Sequence, residues 1–309
     1  MWPTAQTFTK NDWMTTTTTP PTQVNWDHRL QGALADLWID ARSQASGLGP
    51  AAIASLQQYG FALVRGLGPA DADRAAMVPP LNRFGAELGT IVPQNKAGSL
   101  LEDIRDFSDT DAFDNRGYRS PGELSLHTDP PTLLVLHCLA PARSGGENQL
   151  VNIEAIHNHI AAQRPELLPV LQRGFRFWEP SETEPGAGEA SGWTRPILMQ
   201  HDGCVSCVYY RPFIEAAAQA AGEPLSALDV QALDHFDALA NSPQFQIRLT
   251  LAAGDSLVLH NRAVMHARAA YEDWPDAHRR RHLLRLWIDA PAIRPSATEH
   301  ELGDFFAGA

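Results

Sequence analysis

The chain has 309 residues, is 44% hydrophobic and 19% charged, and carries a formal net charge of -12. That length suits one large domain or two small ones with a real core, and the composition is that of a globular chain. The acidic balance argues against a general nucleic-acid surface and against adhesion to anionic lipid, and no apolar run approaches the roughly 20 residues needed to cross a bilayer.

Residues 1–23 read as a flexible tail: Thr15 to Thr19 precede Pro20-Pro21, and neither a basic start nor an apolar core suggests a secretory signal. Leu30, Leu34, Leu37 and Ala41 recur at helical spacing, which predicts an amphipathic helix from Asp27 to Ala41. A short helix over Ala51 to Gln58 ends at Gly60, and Phe61 to Val64 read as a strand. The next helix, Asp71 to Phe84, is expected to break at Pro79-Pro80. The polar stretch Gly98 to Gly122 has few periodic cues and reads as an active-site loop.

Thr132 to Leu139 predicts a buried strand and Gln149 to Val151 a short one, after which Asn152 can cap a helix carrying Ile153, Ile156 and Ile160. Phe175 to Trp178, Pro196 to Met199 and Val205 to Tyr210 look like strands, and 181–192 like a mobile lid. Ser226 and Asp229 match a capping pattern for a helix whose expected core face is Val230, Leu233, Phe236 and Ala240. Phe245 to Leu251 alternates as a strand, as do Ser256 to His260 and His282 to Asp289. The expected architecture is mainly β, a double-sheet barrel with helices packed outside, forming a single domain over 24–295 followed by a tail over 296–309. The three cysteines do not support a disulfide framework; Cys204 and Cys207, formally C-x-x-C, read as part of a buried strand, and a reducing, cytoplasmic location is expected.

The chemistry centres on His127-Thr128-Asp129. On a strand, residues i and i+2 share a face, so His127 and Asp129 can reach one metal ion, with His266 as the third ligand. Two imidazoles and a carboxylate with open positions suit non-haem Fe(II) and O2 chemistry. Arg281 follows His266 by 15 residues, and Arg285 comes four later. On a strand both share a face with Leu283 and Trp287, while Leu284, Leu286 and Ile288 take the other; inward guanidiniums call for anionic partners, a dicarboxylate cosubstrate among them, or else internal salt bridges. Among the other histidines, His157 and His159 are expected at the surface, His137 as a satisfied core residue, and His260 as a minor candidate for a pocket role.

His127-Thr128-Asp129, Ser144-Gly145-Gly146-Glu147-Asn148, Asn261-Arg262 with His266, and Arg281-x-x-x-Arg285 together resemble the taurine dioxygenase (TauD/TfdA) family of Fe(II)/2-oxoglutarate-dependent oxygenases. The resemblance runs from about Phe61 to Ala290. It implies a double-stranded β-helix (jelly-roll) core, Fe(II) held by His127, Asp129 and His266, and 2-oxoglutarate and O2 as cosubstrates. Arg281 matches the arginine that grips the C5 carboxylate of 2-oxoglutarate, and Arg285 the residue that reaches toward substrate or cosubstrate. Asn148 stands where the family commonly has a cosubstrate-binding threonine. The Asp129 carboxylate argues against the halogenating relatives, which lack it. Hydroxylation of a small organic substrate is the expected outcome, with desaturation or cyclisation as alternatives.

Substrate contacts are expected from Glu123, four before His127 and so on its face, from Gln94 and Tyr118, and from Arg285. Glu123 with Arg285 would suit a zwitterion, a molecule bearing carboxylate and amine. Tyr209 and Arg211 read mainly as structural. No nucleic-acid or membrane partner is expected, and a homo-oligomer is left open. Two other classes compete: a non-catalytic metal-binding jelly roll, and a zinc hydrolase on the same triad, which would leave Arg281 without a purpose.

Overall fold

A computed structural model describes residues 25–44, 47–69, 71–95, 97–108, 117–180, 188–191 and 194–295. The tails expected over 1–23 and 296–309, and most of the lid expected over 181–192, lie outside the described residues.

Strand β1 (Trp38–Asp40), helix α1 (Leu48–Tyr59), strand β2 (Phe61–Arg65) and helix α2 (Arg74–Leu88) come first, then β3 (Thr90–Val92) and β4 (Leu101–Ile104). Strands β5 (Leu124–His127), β6 (Leu133–Ala140), β7 (Ser144–Gly145) and β8 (Asn148–Asn152) follow. A long insertion holds α3 (Ile153–Gln163), α4 (Leu168–Arg173), β9 (Trp178–Pro180), β10 (Gly188–Ala190), β11 (Leu198–His201), β12 (Cys204–Cys207), α5 (Arg211–Ala221) and α6 (Ala227–Ala240). The chain returns through β13 (Gln246–Leu249), β14 (Asp255–His260), β15 (Val264–Arg268), β16 (Tyr271–Glu272) and β17 (His282–Asp289).

Two sheets form the centre. One has the order β1-β2-β14-β6-β17-β3, with β4 also on β17; the other runs β13-β8-β15-β5. Period-2 alternation sorts their side chains. Leu63, Leu134, Leu257, Leu283 and Trp287 of the first sheet meet Leu150, Ile247 and Val264 of the second in one interior. The opposite face of the large sheet, with Leu133, Val258, Leu284 and Ile288, packs on Leu56 of α1 and on Met77, Leu81 and Phe84 of α2. The opposite face of the small sheet, with Val151 and Met265, packs on α3, α4 and α6. The result is four layers: helices, sheet, sheet, helices.

Several local expectations need correction. The Asp27–Ala41 helix is a 3-10 helix over His28–Leu37, capped by Asp27, and the chain then extends into β1, parallel to β2. Helix α2 runs through Pro79 and Pro80 without interruption. Pro79 is exposed, as are Ala75 and Ala76, whose carbonyls lose their helical donors, so water can satisfy them while Met77, Leu81 and Phe84 hold the buried face. The Gly98–Gly122 stretch contains β4, paired with β17 from Leu283 to Leu286. The Val205–Tyr210 strand stops at Cys207, and helix α5 begins at Arg211, where no helix was expected. The Ser226–Asp229 capping box forms reciprocally, but Val230 is exposed and Asp229 and Ala232 join Leu233, Phe236 and Ala240 on the buried side.

The histidines also divide. His157 is buried rather than at the surface: Gln200 Nε2 donates to its Nε2 at 3.2 Å, because α3 packs under the β11–β12 hairpin. His137 is a satisfied core residue, bonded to Ser256 Oγ at 2.8 Å, and burial pushes its pKa down to about 4. Cys138, Cys204 and Cys207 are buried thiols outside any disulfide.

The Gly-Gly motif has a steric cause. Gly145 has φ +73°, and a Cβ there would lie 2.3 Å from the carbonyl oxygen of Ala270, where β7 pairs with β16. Both the left-handed backbone and the close approach require glycine. Gly145→Ala is expected to destabilise the protein by about 2–3 kcal/mol, read as a lower urea midpoint at unchanged slope.

Candidate active site

The antiparallel pairing of β5 and β15 sets His127 directly opposite His266. Their rings are tilted by 45°, with centroids 4.2 Å apart. Asp129 follows two residues later, past the end of β5, with Oδ1 3.7 Å from His127 Nε2. One ligand atom from each of His127, Asp129 and His266 lies within 4.8 Å of the others, and among the described residues no other His, Cys, Asp or Glu group does this. His127 Nδ1 donates to the Ser125 carbonyl at 2.8 Å, which leaves Nε2 facing Asp129. Burial, then the neighbouring His127, push the His266 pKa down to about 3, so its imidazole is neutral. Burial raises the Asp129 carboxyl, but Arg285, His127, His266 and the Trp287 indole outweigh it and keep the group ionised. A borderline divalent transition metal with open coordination positions fits this donor set of two imidazoles and one carboxylate, which contains no thiolate.

The triad is held by its neighbours on the chain and across the sheets. Thr128 donates its N–H to the Tyr209 carbonyl at 3.0 Å, and its hydroxyl accepts the Tyr209 N–H at 3.0 Å. The Asn261 side chain donates to the Pro131 carbonyl at 3.1 Å and accepts from the Asp129 N–H at 3.4 Å. The Arg262 guanidinium donates to the carbonyls of Asp129 and Pro130. Asn261-Arg262 thus clamps the turn that carries the Asp129 carboxylate. These bonds give the buried backbone between β5 and β6 its hydrogen-bond partners, which Pro130 and Pro131 cannot supply as donors.

Arg285 lies beside the triad. Its Nη1 is 3.5 Å from Asp129 Oδ2, its Nε donates to Gln94 Oε1 at 2.7 Å, and its guanidinium lies 4.8 Å from the Tyr118 ring and 5.0 Å from that of Trp287. Arg281 is also buried, 5.0 Å from the Tyr271 ring, with Nη1 lacking any hydrogen-bond partner. Among the described residues, neither arginine pairs with Asp289 or Glu147. Asp289 accepts from Thr132 instead, and Arg285 has the Asp129 carboxylate. Asn148 is buried on β8, directly opposite Arg268.

Two substrate candidates change role. Gln94 donates to the carbonyls of Arg285 at 2.7 Å and Leu100 at 3.2 Å, and accepts from the Arg285 side chain. Its amide is therefore committed to positioning Arg285. Glu123 is exposed and precedes β5. Between the pairs His266–His127 and Arg268–Leu124, β5 spends three residues where β15 spends two. That bulge cancels the i, i+4 equivalence that put Glu123 on the face of His127. Tyr209 and Arg211 are structural: the Tyr209 hydroxyl donates to Asp237 at 2.5 Å, and Arg211 pairs with Glu215, Asp234 and Asp237. His260 is fully buried on β14, and burial, then Arg294 and Arg262, push its pKa down to about 3.

Sequence reasoning missed Tyr210, whose ring lies edge-on to His127 at 5.9 Å, and Arg268 and Tyr271 beside Arg281. Arg268 carried a usable signal, since it follows His266 by two residues, the same spacing that joined His127 to Asp129.

Comparison with known proteins agrees with this geometry. FR-33289 synthase from Streptomyces rubellomurinus is 31% identical over 236 residues, covering 75% of this chain and 69% of that protein. A uridine-5'-phosphate dioxygenase from Amycolatopsis sp. is 28% identical over 265 residues, covering 82% and 90%. Asparagine oxygenase, solved with Fe(II), 2S,3S-3-hydroxyasparagine and succinate, shares the fold at a TM-score of 0.60 and 16% identity, covering 89% of this chain and 91% of that one. The sequence pattern of the taurine catabolism dioxygenase TauD, TfdA family matches residues 35–287, and the chain belongs to that family.

Proposed function

We propose that this protein is an Fe(II)- and 2-oxoglutarate-dependent dioxygenase that hydroxylates a small anionic molecule, built as one jelly-roll domain over 24–295. The observation that carries the reading is the convergence of His127, Asp129 and His266 beside the buried Arg285, with a second buried arginine, Arg281, one residue before the same strand. His127, Asp129 and His266 would hold the iron, which when bound supplies the O2-dependent oxidation of substrate coupled to decarboxylation of the 2-oxoacid. Arg281, buried with a free Nη1, would take the distal carboxylate of 2-oxoglutarate, with Asn148 on the facing strand as a neutral donor.

Arg285 supports the anionic substrate class. Gln94 fixes its Nε and the rings of Tyr118 and Trp287 flank it, so the guanidinium stays at the edge of the triad, where a substrate acid group can compete for it with Asp129. The exposure of Glu123 removes the residue on which an amine contact rested, so the acid group alone is the recognised feature.

The test is an anaerobic titration of the metal-free protein with Fe(II) and then 2-oxoglutarate. The expected result is the weak visible charge-transfer absorption of a ferrous 2-oxoacid chelate. Stoichiometric metal binding with no such band would favour the zinc-hydrolase or metal-binding reading.

A further inference from the structure

Arg268 stands on β15 two residues after His266 and therefore on the same face, inside the two sheets. The cross-strand register sets it opposite Asn148, as His266 is set opposite Leu150. It is 4% exposed. One nitrogen, Nη2, donates to three carbonyls of the segment before β5: Gly117 at 3.4 Å, Ser120 at 2.8 Å, and Gly122. Its Nε and Nη1 are buried and have no hydrogen-bond partner. Arg268 and Arg281 lie 4.9 and 5.0 Å from the same Tyr271 ring. Among the described residues, no carboxylate makes an ion pair with either one.

Two desolvated guanidiniums beside one ring repel each other. An anion between them would relieve both the repulsion and the unmet donors. A pure loop tether needs one nitrogen, whereas Arg268 keeps a second face of its fork turned to the interior.

We infer that Arg268 is a second contact for the distal carboxylate of the 2-oxoacid, and that through Gly117, Ser120 and Gly122 it couples cosubstrate binding to the order of the loop that carries Tyr118. The inference rests on the reading of the Arg281 pocket as the cosubstrate site. The loop is joined to the site at a second point, because Tyr118 lies against Arg285. Occupancy at the Arg281 end would therefore reach the wall of the metal site through one side chain.

The experiment is anaerobic calorimetry of the Fe(II) protein with 2-oxoglutarate and with 2-oxobutyrate, which lacks the distal carboxylate, alongside hydrogen exchange of the amides over 117–124. Wild type, Arg268→Gln, Arg268→Lys and Arg281→Ala are compared. Arg268→Gln is expected to weaken 2-oxoglutarate by about tenfold or more, leave 2-oxobutyrate unchanged, and abolish the slowing of loop exchange that 2-oxoglutarate causes in wild type. Arg268→Lys keeps the charge and guards against loss of folding; it should retain part of the affinity while its loop exchanges faster. Wild-type affinity for 2-oxoglutarate in a folded Arg268→Gln protein would reduce the residue to a tether and overturn the inference. Unchanged 2-oxoglutarate affinity in Arg281→Ala would instead overturn the reading of the pocket itself, and the Arg268 inference with it.

Discussion

Replacing Asp129 with alanine is expected to strip the protein of iron and to lower 2-oxoglutarate-dependent O2 uptake by about a thousandfold or more, since a bound metal supplies several kcal/mol of catalysis. The same substitution has a second effect. Asp129 is the carboxylate paired with Arg285, whose side chain is 11% exposed. Removing one partner of a buried pair leaves the other charge uncompensated, at a cost of about 3–5 kcal/mol. Asp129→Ala should therefore unfold at a clearly lower urea concentration than wild type, even with metal absent from both. Adding Arg285→Met to Asp129→Ala should restore most of the lost stability and none of the activity. Equal stabilities for the two alanine-containing proteins would mean that Arg285 is solvated in the absence of its partner.

Arg281→Ala is expected to act in the opposite sense on stability. Its guanidinium is buried, burial lowers its pKa, and Nη1 has no partner. Deleting it removes a desolvated charge that, among the described residues, has no ion-pair partner, so the melting temperature of the apoprotein should stay level or rise. Binding of 2-oxoglutarate should weaken on the order of a hundredfold to ten-thousandfold, the loss of two hydrogen bonds between charged groups at about 1.5–3 kcal/mol each. Calorimetry on the anaerobic iron-loaded protein, with a thermal melt of the apoprotein, gives both numbers. A large drop in melting temperature with little change in affinity would assign Arg281 to the scaffold.

Most of the framework was legible in the chain because strands buried on both faces read as near-continuous apolar runs. Thr132 to Leu139, Ser256 to His260 and His282 to Asp289 all lie in the large sheet, and all were read within a residue or so of their observed bounds. The errors cluster where tertiary contacts overrule local signals. Pro79 and Pro80 stay helical because the buried side of α2 outweighs two lost backbone bonds. Strand β4 is short and partly exposed, so its pairing with β17 left little trace in composition. At the site, His127, Asp129 and His266 could be nominated from strand spacing, and the structure brings them together. Gln94 could be placed near the site but not given its role, because its bonds reach 191 residues along the chain to Arg285. Glu123 failed because a bulge leaves no mark in a single sequence.

That bulge in β5 also bears on how such a site can drift over generations. Leu126 packs into the outer core and His127 faces its partner across the sheet, and the extra residue is taken up between the pairs that bracket them. An insertion or deletion upstream of Leu124 can therefore exchange which side chains the approach to β5 exhibits, without dislodging the histidine at its end. New side chains can thus be tried at the entrance while the strand that carries His127 keeps its register.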